Sequence, residues 1–450
     1  MLFSVFENVL DAHLSSSRQI VLALSGGIDS RVLLDLLSTY RDVHPQHRYL
    51  VIHIHHGLSP HADSWMTQCG EWASDVGIPF KGVKVRVKNN GEGIEKAART
   101  ARYQGIEDNV EPNALILTGQ HADDQAETFL LALKRGSGPA GLSAMPALRP
   151  MGQAFLLRPL LSVTRRDIEA YAEQRGLSWV EDESNLDCKF DRNFIRQRWL
   201  PPAQSRWPGL VKAINRTASL CAEQEALLEE LLQEHDAIVC PDSVVISLHA
   251  LNGYSAKMQS ALVRRWLKQT TGLSASQAQL SMLFSSVIAA SDDANPKLYL
   301  GGWQVRRFQS QLHAVPKYED ISDWRASLKR GVFIELPNEC GQLGIFDAES
   351  AFKFDNFDAQ GNRVSVQLRK PKLDEKVSIR FDPEGVLAHP LGRQGKRKLK
   401  KLYQEYGVPS WMRRRTPLLY FGETVAAVAG LFVCEGFEGQ DCDFVWHKTH

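Results

Sequence analysis

An apolar run, Ile20 to Leu24, passes directly into Ser25-Gly26-Gly27-Ile28-Asp29-Ser30 and then into a stretch where Val32, Leu33, Leu36 and Leu37 recur at helical spacing. The run reads as a buried parallel strand and the stretch as a helix, so the glycines stand where a strand hands over to a helix N-terminus. Such a turn is an anion site. Gly26 and Gly27 can take backbone angles closed to other residues, while the helix end adds orphan N–H groups and a positive dipole. The anion predicted is phosphate. A Walker loop does not fit, because no Gly-Lys-Ser/Thr follows; Asp29 instead sets a carboxylate beside the phosphates and implies a bound cation.

A chain of 450 residues is too long for one ordinary domain and predicts two or three. No apolar stretch is long enough to span a bilayer and no N-terminal signal pattern is present, so no membrane association and a cytoplasmic location are expected. Residues 1–14 read as an acidic amphipathic helix. Seven cysteines, at 69, 188, 221, 240, 340, 434 and 442, include no Cys-x-x-Cys pair. They read as reduced thiols, and their scatter argues against a zinc ribbon or an iron–sulfur centre. Net charge is only +1, yet Arg393 to Arg415 holds nine basic residues against one acid, Glu405. Glu223 to Asp236 is acidic without a Lys or Arg. A field segregated in this way steers a polyanion to one face.

The order of elements predicts an α/β fold. Strands near Ile20–Leu24, Tyr49–Ile54, Phe80–Val87 and Ala114–Thr118 alternate with helices, giving a doubly wound parallel-sheet nucleotide-binding domain over residues 1–206. A helical connector, 207–237, carries Leu210, Ile214, Cys221, Leu228, Leu231 and Leu232 as an apolar stripe. Two smaller C-terminal α+β domains follow at 238–316 and 368–450, with 317–367 as a connecting region of short strands. Ligands of doubly wound sheets sit at the carboxyl ends of the strands. The segments there are polar: His55-His56-Gly57-Leu58-Ser59, Asn89-Asn90-Gly91-Glu92-Gly93-Ile94-Glu95, and Gly119-Gln120-His121-Ala122-Asp123-Asp124.

In the last of these, Asp123 and Glu127 are four apart and Asp124 and Glu127 three apart, so they share a helical face. Acids in a first turn complement the helix dipole; pointing into a phosphate crevice, they also suit a metal or a substrate amine. His53, His55, His56 and His61 lack a His-x-x-x-His pair and favour a ligand role for His56 over a zinc site. Arg192, Asn193, Arg196 and Arg198 read as a solvated helix face or as phosphate and base-edge contacts. The helix around Lys396 to Tyr406, with Leu399, Leu402 and Tyr406 on one side and lysines around the rest, favours an RNA contact in which Trp411 can stack.

The Ser25–Ser30 loop resembles that of the PP-loop ATP pyrophosphatases, which split ATP into AMP and pyrophosphate. His121-Ala122-Asp123-Asp124-Gln125-Ala126-Glu127-Thr128 and the basic loop Leu133 to Met145 narrow the likeness to the tRNA(Ile)-lysidine synthetases within that superfamily. So do His55 to Ser59, Gly93 to Tyr103, Glu181-Asp182-Glu183-Ser184-Asn185, Arg192-Asn193-Phe194-Ile195-Arg196 and Thr416-Pro417-Leu418-Leu419. The resemblance implies a two-step reaction on tRNA(Ile) with a CAU anticodon. ATP adenylates the 2-position oxygen of the wobble cytidine, and L-lysine then displaces AMP. It implies ATP and Mg²⁺ held by Ser25, Gly26, Gly27, Ile28, Asp29 and Ser30, with Asp29 as the metal contact and His56 and His121 near the phosphates. It further implies lysine recognition by Asp124 and Glu127, charge stabilisation at the α-phosphate by Arg99 or Arg102, and tRNA contacts from Arg192, Asn193, Arg196, Lys398, Lys400 and Lys401. The sequence leaves open whether the chain acts as a homodimer.

Three other readings are weaker. A tRNA thiolase would need paired thiols. An amidotransferase would need a glutaminase unit with its own nucleophile, whereas the loop here lies close to the start of the sequence. A nucleotide-sensing RNA-binding module without turnover would have no use for the acids beside the loop.

Overall fold

The computed structural model describes residues 2–14, 16–57, 59–87, 94–183, 187–239, 244–291, 294–348 and 363–448. The chain forms two compact units, Met1–Glu230 and Leu231–His450.

In the first unit the strands are β1 (Gln19–Ala23), β2 (Arg48–His55), β3 (Phe80–Lys84), β4 (Leu115–Leu117), β5 (Leu148–Met151) and β6 (Ala154–Leu157). They form one sheet in the order β3-β2-β1-β4-β6-β5, with only the edge strand β5 antiparallel. Pro150 suits that edge, where a missing N–H costs no central ladder bond. β1 lies between β2 and β4, and Ile20, Val21 and Leu22 are fully buried. Successive side chains of a strand point to opposite faces. Ile20 and Leu22 accordingly pack with Leu115 and Leu117 against one helical layer, while Val21 packs with Ile52, Ile116 and Leu156 against the other.

The helices of this unit are α1 (Leu2–Asp11), α2 (Ile28–Val43), α3 (Ala62–Asp75), α4 (Ile94–Glu107), α5 (Ala122–Lys134), α6 (Pro139–Leu142), α7 (Arg165–Gln174), α8 (Asp191–Phe194) and α9 (Leu200–Arg206). Phe6 and Leu10 of α1 are buried beside Leu33, Leu36 and Leu37 of α2, as the amphipathic pattern predicts. α7 begins at a reciprocal cap, in which the Thr164 and Asp167 side chains each accept the other's backbone N–H. It is tied to α2 by Asp35, which accepts the Tyr171 hydroxyl at 2.7 Å and Arg175 Nε at 3.0 Å.

A longer helix, α10 (Leu210–Gln233), buries Val211, Ile214 and Ala218 against Ala122, Ala126 and Phe129 of α5. Of the predicted stripe, Ile214 and Leu232 are buried, whereas Leu228 and Leu231 are exposed. The stripe is therefore used near its two ends and not along its length. No helix among the described residues is long and apolar enough to cross a membrane.

The second unit begins with β7 (Val245–Ser247), β8 (Lys297–Leu300), β9 (Trp303–Phe308) and β10 (Gln311–Pro316), ordered β7-β10-β9-β8 and packed on the helices Ala256–Thr271 and Gln277–Met282. The predicted Gly301-Gly302 turn joins β8 to β9. The next hairpin turns through Gln309 and Ser310, both left-handed at φ 46° and 58°, which no glycine announces.

The strands that follow are β11 (Arg325–Ser327), β12 (Phe333–Glu335), β13 (Gln342–Asp347), β14 (Arg363–Leu368), β15 (Val377–Arg380), β16 (Leu387–Ala388), β17 (Arg397–Lys398), β18 (Leu418–Phe421), β19 (Thr424–Val428), β20 (Phe432–Val433) and β21 (Cys442–His447). Two sheets, β11-β15-β18-β19-β20 and β12-β13-β21-β14, enclose one core running from Ile321 and Leu343 to Phe381, Leu402, Tyr403 and Phe444. The segment 317–367 thus supplies strands to the same sheets as the residues after 368.

The Asp35 tie fixes the helix behind the phosphate loop against the helix that begins at Arg165. Asp35→Ala removes the acceptor of the Tyr171 hydroxyl and should lower stability by about 1–2 kcal/mol, read as a lower urea midpoint at unchanged slope.

Candidate active site

The Ser25–Ser30 loop leaves the carboxyl end of the central strand and runs into the first turn of α2. Gly26 is left-handed at φ 94°, and its carbonyl accepts the Val180 N–H at 2.9 Å. The loop is held from within. The buried Ser30 hydroxyl donates to the Gly27 carbonyl at 2.9 Å, accepts the Ser25 N–H at 3.2 Å and lies 3.0 Å from the Ser25 hydroxyl. Gly27 is the N-cap and offers no side chain, so the end of α2 remains open to a ligand. Beneath it, Cys69 Sγ lies 3.5 Å from where a Cβ on Gly26 would stand. Burial pushes this thiol up to about 12, which leaves it without thiolate chemistry.

The loop after β4 closes on the same point. A Cβ on Gly119 would stand 3.1 Å from the Asp29 Cβ and from the Ser30 N, so any side chain here would press the two loops apart by a few tenths of an ångström. Two residues later His121 caps α5. Its Nδ1 accepts the Asp123 N–H at 3.3 Å and its own backbone N–H donates to Asp124 Oδ2 at 3.2 Å. The Nε2 faces both halves of the site, 3.6 Å from Asp29 Oδ1 and 3.4 Å from Asp124 Oδ2. Burial works against its charge, but Asp123, Asp124 and Asp29 outweigh that and hold the imidazole above its ordinary value. Burial likewise raises the Asp29 carboxyl, against the pull of His121 and Arg165.

Arg165 is the site residue that sequence reasoning missed. Its Nη1 donates to Asp29 at 2.9 and 3.1 Å, and its backbone N–H donates to Asp123 Oδ2 at 2.7 Å. Asp123 therefore turns to the start of α7 and leaves the face it was expected to share with Glu127. The one local signal was the Thr164-x-x-Asp167 cap, which announces the helix start but not its partner.

Asp124 and Glu127 do stand together, with Arg192 and Arg196 upon them. Arg192 Nε donates to Glu127 Oε2 at 2.7 Å, and Arg196 Nε donates to Glu127 Oε1 at 2.6 Å. Arg196 Nη2 adds Asp124 Oδ1 at 2.8 Å and Glu127 Oε2 at 3.1 Å. Glu127 is wholly buried, while Arg192 and Arg196 retain 30% and 39% of their side-chain exposure. Asn193 donates to the Asp187 carbonyl at 3.0 Å.

The other predicted residues lie around this centre or on the second unit. His56, after β2, has a buried Nδ1 with no partner among the described residues; burial and the Arg102 charge hold its imidazole below the usual value. Gln120 Oε1 is likewise buried and without a partner. Arg102 is exposed on α4, and Arg99 lies over the Tyr103 ring. His53 bonds the Leu24 carbonyl at 2.9 Å and His55 approaches Asp63 at 3.3 Å, so these two histidines serve different partners. Residues 88–93 and 184–186, which include parts of two expected motifs, lie outside the described residues.

On the second unit Lys398, the N-cap, and Lys400 and Lys401 are exposed on the helix Leu399–Glu405, whose Leu399, Leu402 and Tyr403 are buried. Arg393 and Arg397 pair with Glu405, and Arg414 with Asp320 and Glu384. Trp411 is occupied by the protein: its ring packs 5.1 Å from His313 and 5.9 Å from Phe308, with the Arg306 guanidinium above it.

Three family models match the chain: a PP-loop domain over residues 3–203, the TilS substrate binding domain over 246–313 and the TilS substrate C-terminal domain over 377–447. Proteins named tRNA(Ile)-lysidine synthase match it from end to end. That of Vibrio campbellii is 43% identical, covering 100% of this chain and 99% of its own. That of Vibrio atlanticus is 44% identical and that of Photobacterium profundum 45%, each covering 99% of both chains. With the phosphate loop, the acid cluster and full-length similarity in agreement, the chain belongs to the tRNA(Ile)-lysidine synthase family.

Proposed function

We propose that this enzyme joins L-lysine to the 2-position of the wobble cytidine of CAU-anticodon tRNA(Ile), through an adenylated tRNA, with release of pyrophosphate and AMP. The observation that carries the reading is the bridge made by His121, whose Nε2 stands 3.6 Å from Asp29 and 3.4 Å from Asp124. One crevice thus joins a phosphate cradle to a pair of buried acids.

For the first step the Ser25–Ser30 amides and the α2 N-terminus receive the pyrophosphate portion of ATP, and the Arg165 guanidinium lies beside it. The unpartnered His56 Nδ1 and Gln120 Oε1 suit ligand contacts at the same edge. Mg²⁺ asks little of a protein here, one or two carboxylates together with phosphate oxygens and waters. Asp29 fits that demand, since its half-buried carboxyl is raised by desolvation and gains from a nearby cation. Asp29 would hold the ion, which when bound neutralises phosphate charge.

For the second step the nucleophile must be a neutral amine, although lysine in water has a pKa of about 10.4. Asp124 and Glu127 orient the ammonium and accept its proton. Lys398, Lys400 and Lys401 contact the tRNA backbone, and Arg192, Asn193 and Arg196 are assigned contacts with the tRNA near the acceptor base.

Labelled lysine should enter a CAU-anticodon tRNA transcript in the presence of ATP and Mg²⁺, with AMP formed in equal amount. ATP-dependent tRNA binding without incorporation would instead favour a sensor without turnover. Asp124→Asn should retain adenylation, seen as pyrophosphate release, while lysine transfer falls by about a hundredfold or more. Replacing Lys398, Lys400 and Lys401 together by Ala should raise the tRNA Kd by about tenfold and flatten its salt dependence. ATP binding should be unaffected by that variant, and unchanged tRNA affinity would sink the RNA role of these lysines.

A further inference from the structure

The acids that await an ammonium are already paired with cations. Glu127 offers Oε1 to Arg196 and Oε2 to both arginines, while Asp124 gives Oδ1 to Arg196 and Oδ2 to the His121 backbone. Two carboxylates face two guanidinium groups, so the set is neutral. A lysine ammonium added to it would be a third cation on two anions, in a place where water screens little. One guanidinium has to leave for it to enter.

The two arginines are not held alike. Arg192 also donates to the Asp124 carbonyl at 3.3 Å and the Thr128 hydroxyl at 3.4 Å, which anchors it to α5. The bonds of Arg196 run to Asp124 and Glu127 carboxylates. Arg196 is the more exposed of the two, and it lies in the π-helical turn Ile195–Trp199, a wide turn of the kind found at functional sites. Loss of both would strip a wholly buried Glu127 of its cations, so Arg192 stays.

We propose that Arg196 is the displaceable counter-ion of the lysine pocket: the ammonium of the incoming lysine replaces its guanidinium on Asp124 and Glu127, and the freed arginine passes to phosphate. The inference rests on the reading that these two acids receive lysine. The exchange conserves charge in the pocket, transfers no proton, and makes Arg196 a positioning residue. It also links the two substrates, because a nucleotide or RNA phosphate that accepts the guanidinium favours lysine entry, and reciprocally.

The test is calorimetric titration of free lysine into the full-length enzyme. Arg196→Gln should bind lysine at least tenfold more tightly than the wild type, Arg196→Lys should return the affinity towards wild type, and Arg192→Gln should give no gain. Arg196→Gln binding lysine no better, or worse, would overturn the exchange and leave Arg196 as an organiser of the acids. Asp124→Asn separates the lysine reading from the exchange. If it keeps wild-type lysine affinity, the lysine reading itself fails; if it loses lysine while Arg196→Gln gains nothing, only the exchange fails. Should Arg196→Gln not fold, the Arg196 Nε–H resonance of the wild-type enzyme decides the same question. It should move to a solvent-exposed position at saturating lysine, and a resonance that stays would overturn the proposal.

Discussion

Buried carboxylates have to be balanced, and the catalytic unit is arranged around that need. Asp29, Asp123, Asp124 and Glu127 gather at the carboxyl edge of the sheet, where isolated charges would be strongly penalised. Arg165, Arg192 and Arg196 surround them. Two unit charges 4 Å apart at an effective dielectric of 20 interact by about 4 kcal/mol, so neither set can be placed without the other. The cations arrive late in sequence. Arg165 lies 136 residues beyond Asp29, and Arg196 lies 69 beyond Glu127, so the site exists only when the whole unit has closed. The Asp35–Tyr171–Arg175 tie serves that closure by holding α7 against α2.

The basic window of the C-terminal domain obeys the same rule with a different outcome. Counting charges gives nine cations against one acid, but folding pairs Arg393 and Arg397 with that acid and brings Asp320 and Glu384 to Arg414. Arg415 is buried, with its guanidinium over the Tyr318 ring and a bond to the Asn338 carbonyl. Arg393, Arg397 and Arg414 stay exposed although paired, whereas the exposed Lys396, Lys398, Lys400 and Lys401 make no ion pair among the described residues. Lysines of this kind act as mobile point charges that track a backbone, whereas the arginines have become structural. The polyanion field is thus narrower than the composition suggested.

Much of the first domain was legible because its signals are local. A fully buried central strand has to be apolar throughout, and a loop that admits a phosphate has to be small, so Ile20 to Ser30 declared both. β5 was missed because Leu148-Arg149-Pro150-Met151 is short, holds a proline and sits at an edge. The strands between 317 and 367 are faint for another reason. β12 is three residues long and is joined through β13 to β21, whose partner positions lie about a hundred residues away in sequence. At the site, spacing identified Asp124 and Glu127 but could not show what stood upon them. Arg192 and Arg196 at i and i+4 read as an outward face, and only the fold turns that face onto α5.

His121 determines how the two halves of the crevice communicate. A cap residue at this position would ordinarily be Ser, Thr, Asp or Asn, each of which can accept the N–H that His121 Nδ1 accepts. None of them carries a second nitrogen beyond the cap. With histidine the helix start is satisfied at Nδ1, while Nε2 is left between Asp29 and Asp124. Neither carboxylate can then change its charge without altering the field at the other, because the imidazole between them is buried and the distances are well inside the screening length of water. Asp124 and Arg196 also act on Asp29 directly, so the ring is one part of the field that joins the two acids. The close approach of Gly119 to Asp29 brings the ring to that place, and a side chain at 119 would have to push its neighbours back by a few tenths of an ångström.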